Sequence, residues 1–426
     1  MRDVGVEEAS AAGGLVLNPL RGLRYAPDHV SSLGAVTSPP YDVLDGDAVI
    51  ALESADPHNV VRLILPRDEE SGPEGRYEHA ARTLRAWTDD GTLVPDATPA
   101  LYLYEQSADG LVTQRGLMGA LALRDPDDRI VLPHEDVMPG PVADRLELMR
   151  AARANVEPIL LMHSGADATA AIVDRIATTE QPVLTATGSD GVTHRLWRVS
   201  DTAEVATIQA DLRGRQALIA DGHHRYAAYR LLQREMGDRL GSGPWDEGLA
   251  LLVDLQANPP RVGAIHRTVD GIDVEAAVIG AQDLFDHRPV PLGEVGDAVA
   301  ALRPGHLLLV DDHRAALLRA HDADRVAELV TRRHPRQWGT LDTAVLHRVL
   351  LEDLWHAPEA AVRYHHDPEQ ALTYVRKNAA TAVMLAPVPV EQVLQIAAEG
   401  VRMPRKSTSF GPKPRTGLLL RSFDLS

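Results

Sequence analysis

Gln216-Ala217-Leu218-Ile219-Ala220-Asp221-Gly222-His223-His224-Arg225-Tyr226 is the stretch from which the fold is read. The apolar run before Asp221 predicts a buried strand. Gly222 then permits a sharp, close backbone path, and a helix from Tyr226 to Met236 follows, ended by Gly237. A helix opening directly after a strand presents unpaired N–H groups and the positive end of its dipole, which attract an anion. His223, His224 and Arg225 add side-chain donors on the first turn, a combination that suits phosphate better than carboxylate. Two plainer readings compete. Asp221 could merely cap the helix while the histidines fill surface or core, or the histidines could bind zinc or iron. Neighbouring histidines diverge on a helix and no HExxH pattern is present, so the sequence assigns no metal ligands.

Outward from this turn the pattern alternates between strands and helices, which predicts an α/β (α+β) protein with mixed sheets. Upstream, Pro39-Pro40 fixes an extended backbone and sets Tyr41 and Asp42 just after it, with a helix expected from Asp45. Val60 to Leu65 reads as a short β-rich run closed by Pro66, and the polar loop Arg67–Gly75 as a disordered insertion. A helix is expected over Tyr77–Thr88, and a hairpin over Leu101–Leu123 turning at Asp109-Gly110. A helix over Val142–Ala154 and a strand over Val156–Met162 should follow. Helices near 324–333, 341–353 and 390–399 and a final strand Leu418–Leu420 complete the reading. Three successive regions are expected: 1–165, 166–270 with the central turn, and 271–426 with a basic loop.

Composition narrows the function. The chain has 426 residues, enough for several domains, and no cysteine, which excludes disulfides, thiolate metal sites and cysteine nucleophiles. No apolar stretch of signal-peptide length follows Met1–Glu8. Apolar runs such as His306–Val310 fall far short of the roughly 20 residues of a membrane span. A cytoplasmic protein without membrane contact is expected. Lys plus Arg number 43 against 61 acids, a formal charge of −18 that repels nucleic acid. Against that background Arg402, Arg405, Lys406, Lys413 and Arg415 form a local basic cluster. Stiffened by prolines, Lys406-Ser407-Thr408 and Phe410–Pro414 read as a clamp over a small anionic ligand. Arg145, on the Val142 helix, reads as a second clamp.

The strings ADGHHRYAA (220–228), SPPYDV (38–43), NVVRLILP (59–66), PHEDVMPGPVADRLELMRAARANVEPI (133–159) and RMPRKSTSFGPKPRTGLLLR (402–421) together resemble the bacterial and archaeal DUF1015 family over nearly the whole chain. The DGHHR turn is also similar to that of the ParB/sulfiredoxin-like superfamily, above all its free-serine kinases. The resemblance implies a nucleotide-binding core of that type with additional α/β elaborations. It further implies that Asp221, Gly222, His223, His224 and Arg225 hold nucleotide phosphates and that an upstream carboxylate activates the substrate hydroxyl. ATP or ADP, with magnesium, is then the expected cofactor and free serine or a similar amino acid the expected acceptor.

Phosphoryl transfer needs a carboxylate within reach of the attacking hydroxyl. Glu135, at a strand end before Pro139-Gly140-Pro141, is the first candidate; Asp42 and Asp221 are the alternatives. Arg62, Arg145, Lys406 and Lys413 are expected to neutralise phosphate charge, and Tyr41, Asp42, Asn59, Ser407 and Thr408 to contact substrate. Asn59 and Arg62 resemble the asparagine and arginine box of the ParB proteins. Two other readings use the same pocket: a ParB-like nucleotide switch without turnover, and a phosphatase.

Overall fold

The computed structural model describes residues 14–68 and 75–425. Residues 69–74, most of the loop expected to be disordered, and the N-terminal stretch Met1–Glu8 lie outside the described residues. The chain is a mixed α/β protein whose residues fall into two compact units. One comprises residues 1–133, 137–260 and 412–426; the other comprises 134–136 and 261–411. The sequence suggested three consecutive regions, whereas both units are assembled from separated segments.

The first unit is built on a mixed sheet. Its strand order is Val131–Leu132, Ala217–Asp221, Ile159–His163, Glu247–Asp254, Leu111–Ala122, Leu101–Ala108, Thr193–Val199 and Leu184–Thr187, with Leu17–Asn18 paired to Leu111–Ala122. Two neighbouring pairs are parallel, Ala217–Asp221 with Val131–Leu132 and Glu247–Asp254 with Ile159–His163. The hairpin expected at Asp109-Gly110 forms, and both turn residues take positive φ. Helices Pro139–Ala152 and His223–Leu240 belong to the same core, which buries Val142, Met149, Ile159, Leu161, Ile219, Tyr226 and Leu252 together. A second apolar cluster gathers Leu23, Tyr25, Val60, Leu63, Ile64, Leu84 and Trp87.

Two local expectations are corrected. The run Val60–Leu65 does not extend into a strand: Val61–Ile64 is a short helix whose first amide donates to the Asn59 side chain, 2.9 Å. Its β-branched residues pack in that second cluster instead of pairing in a sheet, so tertiary burial overrides β propensity. Leu418–Leu420 is buried but forms only an isolated bridge to Leu23, and the last strand is Arg421–Ser422, paired with Ala154–Asn155.

The second unit carries an antiparallel sheet in the order Phe285–Val290, Ala315–Ala320, His306–Val310, Ala380–Met384, His266–Asp270 and Val362–His365. Helices Val274–Ala281, Ala323–Thr331, Pro368–Val375 and Val390–Ala398 accompany it. Among the described residues no helix is long and apolar enough to cross a membrane.

Candidate functional site

The strand Ala217–Asp221 is buried at every position, and its pairing with Ile159–His163 slips near its end. Ile219 faces Leu161 and Asp221 faces Leu160, so one extra residue is accommodated as a bulge. A bulge kinks the strand and re-aims the next side chain, here Asp221. Gly222 follows at φ +92°, in the left-handed region, and a Cβ there would lie 2.9 Å from Ile159 Cγ2 and 3.0 Å from Arg225 Nε. Both the backbone and the space demand glycine. The helix then begins at His223, and its first backbone bond runs from Tyr226 N to Gly222 O, 2.9 Å. By helix geometry the amides of His223, His224 and Arg225 have no acceptor within the helix itself.

Lys413 completes this junction from far along the sequence. The backbones of Ser38 and Thr416 pair in both directions, at 3.1 and 2.9 Å, which lays residues 412–416 beside the Pro39-Pro40-Tyr41-Asp42 segment. Gln114 Nε2 donates to Pro412 O, and the Arg415 amide to the Tyr104 hydroxyl, fixing the same stretch on the sheet. The Lys413 ammonium stands between two carboxylates, 2.6 Å from Asp221 Oδ1 and 2.7 Å from Asp42 Oδ2. Burial alone would raise the Asp221 carboxyl, but Lys413 and Arg225 outweigh it and hold that group well below the usual carboxylate range. Burial opposes the Lys413 charge, and Asp221 and Asp42 push its pKa up. Asp42 Oδ1 is buried without a hydrogen-bond partner.

Beneath this bridge lies a layer of alternating charge. Arg225 donates through Nη2 to Asp221 Oδ2 and through Nη1 to Pro158 O, both at 2.5 Å. It is 3% exposed, so the guanidinium expected to grip phosphate is turned inward and braces Asp221. Glu157, fully enclosed, accepts the Tyr41 amide at 3.1 Å and lies 3.4 Å from Arg145. Burial raises its pKa in spite of Arg225 and Arg145. Arg145 also donates to Ile64 O and Asp144, and its guanidinium lies 4.3 Å from the Tyr41 ring centroid. Burial pushes the Tyr41 phenol up to about 12. Arg145 is thus a structural tie of the cluster and is buried, not a mouth residue.

The remaining expected residues divide. His224 Nε2 accepts the Met138 amide at 3.0 Å, so that nitrogen carries no proton, and half-buried His223 adds a weak pull on Asp221. Asn59 is buried and spends its side chain on Ala35 O, Thr37 O and Val61 N, and Arg62 reaches Glu53. Glu135, Lys406, Ser407 and Thr408 belong to the second unit, whereas Lys413 belongs to the first. The Glu135 carboxylate is anchored: it accepts the amides of Lys406, Ser407 and Thr408 at 3.0–3.1 Å and the Thr408 hydroxyl at 3.0 Å. Lys406, at φ +58°, curls those three amides around one point, a backbone nest of the kind that binds anions. The loop expected to clamp a ligand therefore clamps Glu135, and Ser407 Oγ bonds Pro404 O. Glu157 was missed by sequence reasoning. Its signal was an acid set in the otherwise apolar Val156–Met162 run, where a carboxylate must find a cation.

Among the described residues no group of three or more histidines and acids is arranged to hold a metal ion. Residues 17–344 match the family described as "Protein of unknown function (DUF1015)", and the chain belongs to that family. Among curated proteins, none matches. Similar solved structures include SbnI with C-terminal truncation from Staphylococcus aureus, 10% identical, covering 71% of this chain and 87% of that one at a TM-score of 0.38. A free serine kinase variant in complex with ADP is 13% identical, with 73% and 94% covered and a TM-score of 0.37. A conserved hypothetical protein from Pyrococcus furiosus is 15% identical, with 73% and 97% covered and a TM-score of 0.36.

Proposed function

We propose that the Asp221–Gly222 junction binds the phosphates of ATP or ADP and that the protein transfers a phosphoryl group to the hydroxyl of a small metabolite, free serine or a related amino acid. The observation that carries this reading is Lys413 held between Asp42 and Asp221, because it sets a cation and an unsatisfied carboxylate oxygen beside the start of a long helix. In this reading the amides of His223 and His224 and the helix dipole receive the phosphates, and Lys413 offsets their charge. Asp221, braced by Arg225, keeps the ammonium in place.

Asp42 takes the role first considered for Glu135, whose carboxylate is committed to the 406–408 amides. Asp42 Oδ1 accepts the proton of the attacking hydroxyl as the new O–P bond forms and the bond to the leaving nucleotide oxygen breaks. Lys413 already occupies the space between Asp42 and Asp221, so these residues do not fit a magnesium ion as they stand. Serine as acceptor rests on the likeness of the DGHHR motif to that of free-serine kinases.

The test incubates the protein with ATP or ADP and a panel of free amino acids, with and without magnesium, and follows phosphorus NMR. A new phosphomonoester is expected, reduced by about 100-fold or more in Asp42→Asn while nucleotide still binds. Nucleotide binding with no phosphomonoester from any amino acid would replace this reading with a nucleotide switch. Phosphate release from phosphoserine alone would replace it with a phosphatase.

A further inference from the structure

In the second unit a cavity of about 520 Å³ opens between helix Val274–Ala281, the edge strand Phe285–Val290 and the turn that follows it. The volume falls in the range of small-molecule sites, which are hollows with mostly apolar walls and a few oriented polar groups. Val278, Ile279, Pro289, Leu292 and Ala316 supply such walls. Ile279 and Leu292 are 57% and 46% exposed, so two large apolar side chains that could have been covered by the fold face the same hollow. Scattered exposed apolar residues need no explanation, but a pair sharing one concavity marks a binding surface.

The mouth is richer in donors than in acceptors. Glu275 is the one carboxylate among the lining residues, and it is already paired with Arg314 Nη1. Among the described residues the other guanidinium nitrogens of Arg314 have no hydrogen-bond partner. His287 and Gln282 also line the opening, while His313 stands 3.4 Å from Asp312. Arg314 therefore keeps part of its planar fork for an acceptor, and that fork matches a carboxylate. The whole arrangement lies in one unit and uses no residue of the Asp221 junction.

We propose that this cavity binds a small apolar monocarboxylate, its chain or ring against Ile279, Pro289 and Leu292 and its carboxylate on the unused edge of Arg314. The full chain is titrated with 8-anilinonaphthalene-1-sulfonate, an apolar anion whose fluorescence rises on burial, and then with decanoate or decanol as competitors. Decanoate is expected to displace the dye from a single site, with decanol weaker by about tenfold, the worth of one charge-assisted hydrogen bond. Arg314→Gln should bring the two competitors level. Val278→Trp, which fills the hollow, should abolish dye binding; Leu292→Trp serves if the first variant loses its native circular dichroism. The proposal is overturned if decanoate fails to displace the dye, if decanol competes as well as decanoate in the wild type, or if a folded tryptophan variant binds the dye unchanged.

Discussion

Lys413 lies 2.6 Å from Asp221, and the same ammonium reaches Asp42 at 2.7 Å, so one late residue bridges two carboxylates from distant parts of the sequence. Replacing it by methionine removes the cation between them: Asp221 keeps Arg225, whereas Asp42, with one oxygen already unsatisfied, loses its ion-pair partner. Breaking such a pair costs about 3–5 kcal/mol, readable as a lower urea midpoint at neutral pH. The Asp221 carboxyl is held down in the folded chain, so its contribution is present above the unfolded value near 4 and is lost as pH falls through the lower folded value. The gap between wild type and Lys413→Met should therefore narrow below about pH 4. A gap that stays constant on acidification would contradict the pairing.

Gly222→Ala tests the turn itself. An alanine must hold φ near +92° and place its Cβ 2.9 Å from Ile159 Cγ2. Strain of this kind costs about 2 kcal/mol, and thermal unfolding of the variant should show that loss. Native stability in Gly222→Ala would mean that the junction relaxes freely.

His194 gives the sheet an acid-sensitive point. Its ring is 2% exposed, and burial, helped by Arg415, lowers its pKa to about 4. The unfolded chain takes up this proton near pH 6.5 and the folded chain only near 4, so stability falls as pH drops through that window. The slope contributed is at most about 1.4 kcal/mol per pH unit, and His194→Gln should remove it from a series of urea titrations between about pH 7 and about 4.5. An identical slope in the variant would show that the ring is charged in the fold.

Glu135→Ala should loosen the loop it anchors. Three amides and a hydroxyl lose their acceptor, a cost of about 3 kcal/mol for charge-assisted bonds, and hydrogen exchange at residues 406–408 should accelerate. Unchanged protection at those amides would place the carboxylate elsewhere.

The parts of this architecture legible in the sequence are those written locally. Gln216–Tyr226 announces its strand, break and helix through an apolar run followed by glycine, and the Leu101–Leu123 hairpin through alternation around Asp109-Gly110. Val60–Leu65 misled because β-branched residues fill a helix as readily as a strand when neighbouring helices bury them. The residues gathered at the Asp221 junction stand out in the sequence by type but not by direction. Arg225 stands four places after Asp221, a spacing that lets it reach back to that carboxylate, and the reading as a phosphate ligand passed over this. No spacing rule links Lys413 to Asp42, nor Glu135 to Lys406. Those contacts come from the Ser38–Thr416 pairing and the Glu135–Met403 bridge, both fixed by the tertiary fold.

The return of residues 412–426 to the first unit, after the chain has built the second, has a consequence for synthesis on the ribosome. Asp42 and Asp221 emerge early, yet their shared counter-ion emerges only after the 261–411 segment has been translated. Until then Asp221 has Arg225 as its partner but Asp42 lacks its ammonium, and contacts of such long sequence separation form slowly. Completion of the Asp42–Lys413–Asp221 bridge is thus a late event, open only to a chain whose last segment has left the ribosome.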